Sequence, residues 1–108
     1  MPSSPLFRVD VQPERERVRV IPHGELDLAT VQQLEAQIDE LRSGGSPRIV
    51  LDLRQLTFMD STGLRLLLEL DAQSRADGFG FAIVDGEGPV RRLLELTGVD
   101  GRFEHADG

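Results

Sequence analysis

Short apolar runs alternate along this chain with stretches whose apolar residues recur at helical spacing. Phe7-Arg8-Val9-Asp10-Val11 alternates apolar and polar, which predicts a half-buried strand. Gln12 to Glu16 reads as a polar connection, and Val18 to Ile21 as a second strand antiparallel to the first. Pro22 cannot donate a ladder hydrogen bond, so it is expected at a strand end or an edge. His23 to Asp27 then leads out. Leu28, Val31, Leu34, Ile38 and Leu41 share one helical face. Thr30 and Gln33 have the spacing of a capping box, with Asp27 just upstream. Ser43-Gly44-Gly45-Ser46-Pro47 should stop this helix.

Ile49 to Leu53 is a short apolar run of the kind found in a central strand covered on both faces. A short loop follows, and then a leucine-rich helix whose first turn carries Ser61 and Thr62 and whose end falls at Asp77-Gly78. Phe79 to Val84 predicts another strand. Pro89 suits the first turn of a third helix, Val90 to Thr97, stopped by Gly98. Val99 to Glu104 is an optional short final strand, and the last residues are expected to fray. The order β-β-α-β-α-β-α, with or without a last β, implies an α/β domain. Its sheet should be mixed, with four to five strands, parallel pairs and right-handed crossovers. Residues 1–108 read as one domain, with an ordered core from about 7 to 103.

Composition narrows the function. The chain has 108 residues, a net charge of −7 and no cysteine. Disulfides and thiolate metal sites are therefore excluded. All 12 basic residues are arginine, and only Arg91 and Arg92 are adjacent, so nucleic-acid binding is disfavoured. No apolar run approaches the ~20 residues of a membrane span, and Met1 to Pro5 lacks a secretory pattern. The expected setting is the cytoplasm, with no membrane contact.

The chemistry concentrates at Phe58-Met59-Asp60-Ser61-Thr62-Gly63-Leu64. A helix start leaves amides unpaired and carries a partial positive charge, so a phosphate on Ser61 would be held there. The plain alternative is that Asp60 or Ser61 simply caps the helix. A serine hydrolase would need a base, and neither His23 nor His105 stands in a recognisable motif. Gly63 permits close approach by a partner, or merely relieves crowding. Leu64, Leu66, Leu67, Leu68 and Leu70 cover an arc of roughly 200°, wider than a surface helix needs. With Leu64, Leu67 and Leu68 on the sheet, Leu66 and Leu70 are left to meet a neighbouring helix or to form an apolar patch beside Ser61. Asp27, Asp52 and Asp60 sit near strand ends, where Mg²⁺ is one conceivable ligand and capping the simpler role. Gly86-Glu87-Gly88-Pro89 does not continue into a nucleotide fingerprint.

These residues carry a resemblance. Gly24-Glu25-Leu26-Asp27, the strand Ile49 to Leu53, Asp60-Ser61-Thr62-Gly63-Leu64 and Arg92 to Gly98 occur in the order found in STAS domains of bacterial anti-sigma-factor antagonists. The resemblance spans about Phe7 to Phe103. It implies a non-enzymatic, cofactor-free and metal-free binding protein of sigma-factor-dependent transcription. Its partner would be an anti-sigma factor that is also a serine kinase, bound while the antagonist is unphosphorylated. Phosphorylation at Ser61 would release it, and a serine phosphatase would reset the cycle. Thr62 offers a second hydroxyl. Asp27, Asp60, Ser61, Thr62, Gly63, Leu64 and Leu66 would form the partner surface. Such domains usually end in a further helix after the last short strand, whereas this sequence ends at Gly108, and Pro22 stands where an apolar residue is usual. The alternative within the resemblance is a scaffold subunit of a stress-signalling or lipid-transport complex, without a phosphorylation cycle. The expected state is a monomer or weak homodimer.

Overall fold

A computed structural model describes residues 6–45 and 48–108. Strands β1 (Arg8–Glu14) and β2 (Arg17–Leu26) form an antiparallel hairpin. They are followed by α1 (Val31–Ser43), β3 (Arg48–Asp52), β4 (Leu56–Met59), α2 (Ser61–Asp77), β5 (Gly80–Val84), α3 (Pro89–Thr97) and a 3-10 turn at Asp100–Arg102. The described residues thus form an α/β fold with a mixed five-stranded sheet and three α-helices, as expected.

Strand β2 organises the sheet. Its first half pairs in parallel with β3 and its second half in parallel with β4. Beyond β3 lies β5, also parallel. So β3 and β4 follow one another along the same edge of β2, with Leu53 to Gln55 as the joint. Strand β4 was not foreseen, because its four residues, Leu-Thr-Phe-Met, have no periodicity and need the far half of β2 to exist. Pro22 lies inside β2, not at its end. The parallel ladder stops at Val20 and resumes at Gly24, so Pro22 occupies the gap between the two partners and interrupts neither.

Val20, Leu26, Ile49, Leu51, Phe81 and Ile83 join Leu34, Ile38, Leu67 and Leu94 in one buried core. Helix α2 is rotated relative to expectation. Leu66, Leu67 and Leu70 are its fully buried leucines, while Leu64 and Leu68 pack at the margin. The wide leucine arc is used because α2 meets α1 as well as the sheet. The terminal strand is reduced to one parallel bridge, Ile83 with His105. The last residues are pinned there: Ile83 N donates to Glu104 O and Ala106 N to Ile83 O, both at 2.9 Å. The expected stop of α1 at Ser43–Pro47 lies partly outside the described residues.

On the other face of the sheet, Arg19 is only 6% exposed. It donates to Glu14 Oε2 at 2.8 Å, to Asp52 Oδ2 at 3.1 Å and to the Asp107 carbonyl at 3.2 Å. Arg54 closes on Asp52 through Nε and Nη2 at 2.9 and 2.7 Å. The Arg19 hydrogen bond is the main influence on Glu14 and holds its carboxyl below the usual range. Burial pushes Asp52 up, but the Arg54 and Arg19 bonds outweigh it and the net direction is down.

Candidate functional site

The site is built where β2 and β4 end side by side. Leu26 pairs with Met59, and Asp60 N donates to Leu26 O at 3.3 Å. This places Asp27 and Asp60 just past the carboxyl ends of two parallel strands, where open α/β sheets gather their sites. Ser61 is the first residue of α2.

Asp60 is the N-cap, as one sequence reading held. Its Oδ1 accepts from Thr62 N at 2.9 Å and from Gly63 N at 3.4 Å, and its carbonyl accepts from Leu64 N at 3.1 Å. This corrects the expectation that a phosphate on Ser61 would be cradled by free amides, because Asp60 already occupies two of them. Ser61 is exposed and its hydroxyl has no hydrogen-bond partner among the described residues, while Thr62 is half-buried.

Two members of the expected partner surface are buried. Leu66 is 3% exposed and packs in the core, because the turn of α2 directs it inward. Gly63 is buried too, and its reason is packing. A Cβ there would lie 2.5 Å from Met59 Cγ and 3.0 Å from Leu26 Cδ2, so the helix can approach the strand ends only without a side chain. Leu64 is half-buried at the margin.

The loop after β2 is fixed by Thr30, which is buried. No capping box forms with Gln33; Thr30 has no side-chain capping bond to α1. Instead its hydroxyl donates to Glu25 O at 2.7 Å and accepts from Asp27 N at 3.0 Å. Asp27 Oδ1 accepts from Ala29 N at 3.0 Å. The resulting turn holds Leu28 outward at 79% exposure, so Leu28 is not part of the α1 core face. Phe58, one register pair before the strand ends, is 44% exposed opposite Glu25. Sequence reasoning missed these two outward apolar residues. No sequence signal marked Phe58, because the strand that turns it away from Met59 exists only through pairing with the far half of β2.

The three acids do not gather. Asp52 is held by Arg19 and Arg54, and no metal-sized group of three His, Asp or Glu exists among the described residues. His23 lies against Asp10, 2.9 Å away, and His105 Nε2 meets the Asp100 carbonyl at 3.1 Å. No hydrogen bond joins either to Ser61 among the described residues.

The sequence comparisons decide the family. A family model described as "Mlab, STAS domain" matches residues 7–104. An anti-sigma F factor antagonist of Paenibacillus polymyxa is 33% identical over 94 residues, covering 86% of this chain and 80% of the relative. The chain belongs to the STAS-domain family of anti-sigma-factor antagonists. The crystal structure of an anti-sigma factor antagonist from Mycobacterium paratuberculosis superimposes with a TM-score of 0.83 at 28% identity, over 99% of this chain and 92% of that one. The Bacillus cell fate determinant SpoIIAA in its phosphorylated form gives a TM-score of 0.67 at 25% identity, over 94% and 91% of the two chains. This antagonist-family chain thus shares its fold with a relative known in a phosphorylated state. No helix among its described residues is long and apolar enough to cross a membrane.

Proposed function

We propose that this protein is an anti-sigma-factor antagonist switched by phosphorylation of Ser61. Unphosphorylated, it binds an anti-sigma factor that is also a serine kinase, in the cytoplasm, and frees a sigma factor. Phosphorylated, it is released until a phosphatase resets it. The protein itself carries no catalytic role and needs no cofactor.

The observation that carries this reading is the state of Ser61: exposed, without a hydrogen-bond partner among the described residues, and beside amides that Asp60 has already taken. A phosphate there gains no ready cradle. It adds nearly two negative charges next to Asp60 and Asp27, on a surface that also shows Leu28 and Phe58. A dianion in such a contact must be desolvated among apolar groups and near like charges, which favours dissociation. Ser61 is favoured over Thr62 because Thr62 is half-buried in the first turn.

The test is intact-mass and peptide mass spectrometry after incubation with host extract and ATP. Wild type should gain one phosphate on Ser61, and Ser61→Ala should gain none. Phosphate on both would move the site to Thr62, and phosphate on neither would favour a scaffold STAS domain. Ser61→Asp should keep the fold and lose affinity for the anti-sigma factor.

A further inference from the structure

Beside the strand ends lies an open groove of about 430 Å³, lined by Leu6, Glu25, Asp27, Ala29, Thr30 and Thr57. The chain crosses Gly24 here so closely that a Cβ would stand 2.5 Å from the Leu6 carbonyl oxygen. Leu6 is thereby laid along the groove at 84% exposure. Thr57 Oγ1 donates to Gly24 O at 3.2 Å, so its hydroxyl is already engaged.

Two independent features say what the groove suits. The first is apolar. Five large hydrophobic residues are exposed among the described residues, namely Leu6, Val11, Leu28, Phe58 and Leu96. Leu6 lines the groove, and two more are neighbours of its lining residues: Leu28 lies between Asp27 and Ala29 in the chain, and Phe58 pairs with Glu25 across β2 and β4. Clustering of this kind marks a contact surface, whereas scattered single residues do not. The second is charge. Glu25 and Asp27 on the rim, and Asp60 at the adjoining helix start, are in no ion pair among the described residues. Arginine is abundant in this chain, yet none is placed against these acids, so a cation that meets them has to come from outside.

We propose that the groove receives an apolar side chain of the anti-sigma partner, with a lysine or arginine of the same segment set against Glu25. The inference rests on the reading of Ser61 as part of the partner contact, since the groove continues that surface through the paired ends of β2 and β4. It adds the chemistry of the partner's segment. An apolar anchor in a pocket with a charged rim contact is the usual distribution of affinity in such interfaces, with the anchor dominating the dissociation rate and the rim charge the salt dependence.

The experiment is calorimetric titration of each purified host anti-sigma factor into the full chain, at low and at high salt. Ala29→Trp fills the groove from an exposed position and should weaken binding by about tenfold or more, the scale of an interface anchor. Glu25→Lys should weaken it about fivefold at low salt, with the difference shrinking at high salt. Leu96→Ser, on the exposed side of α3, should bind as wild type. Thermal melts confirm that each variant is folded. If wild type binds and both groove variants bind equally well, the groove proposal falls and the antagonist reading stands. If no host anti-sigma factor binds the wild type, both fall. If sedimentation shows that wild type self-associates and Ala29→Trp does not, the occupant is a second copy of this chain and the proposal is overturned.

Discussion

At the level of single residues, Gly63 and Ser61 do opposite work two positions apart. Gly63 lets α2 rest on Leu26 and Met59, the residues that hold the ends of β2 and β4 together. Gly63→Ala adds a methyl group where two buried side chains already touch the available space. Alanine gains about 1 kcal/mol of helix propensity over glycine, and overpacking costs ~1–3 kcal/mol. Met59 has some freedom to turn aside, so a net loss of about 1 kcal/mol is expected, measured by denaturant unfolding. Ser61 is exposed and its hydroxyl has no hydrogen-bond partner among the described residues. The sequence made both residues stand out within one motif. It could not separate them, because facing inward or outward depends on how the helix is rotated against strands far away in the chain. Leu66 was misplaced for the same reason: α2 has leucines enough to face several ways, and only α1 beside it selects one.

The element scale is where local chemistry is most and least legible. Helix α2 begins and ends where the sequence says, because both limits are set by neighbours in the chain: Asp60 at the start and Gly78 at the end. Asp60→Ala should cost about 1 kcal/mol, or roughly 4 °C in the melting temperature of a domain this size, by removing the acceptor for two amides. Asp60→Asn should keep that stability, since asparagine caps as well as aspartate. Comparing the two by thermal melting and by partner binding separates the cap from the charge. Strand β4 shows the opposite case. Nothing within Leu56 to Met59 announces a strand, and it exists because β2 is long enough to offer a second half. Likewise β2 outruns its predicted four residues because β1 and β4 recruit Pro22 to Leu26 from either side.

For the whole molecule, the acid side of the stability curve is set in part far from Ser61. Glu14 is held below its ordinary pKa by Arg19 and Arg17, and Asp52 by Arg54 and Arg19 against the opposing effect of burial. Depressed carboxylates stabilise the folded state fully above their unfolded pKa, near 4, and that contribution is lost as the pH falls through the lower folded values. The melting temperature should therefore be level from about pH 5 upward and drop below ~4. Glu14→Gln should lower the plateau and soften the drop, as followed by circular dichroism across pH 3 to 7. This network ties β1, β2, β3 and the residue before the last into one unit, and no motif pointed to it, because its members are spread from Glu14 to Asp107.

The paired halves of β2 have one more consequence. Asp60 and the start of α2 follow a ladder of only three residue pairs, Gly24 with Leu56, Glu25 with Phe58 and Leu26 with Met59, broken by an irregularity after the first. The five-pair ladder between β3 and β5 shares none of those bonds. Loosening β4 thus needs much less free energy than unfolding the domain, and amide exchange there should run ahead of the central strands. Ser61, the residue proposed above as the phosphosite, is thereby mounted on the part of the scaffold that can yield without the rest giving way.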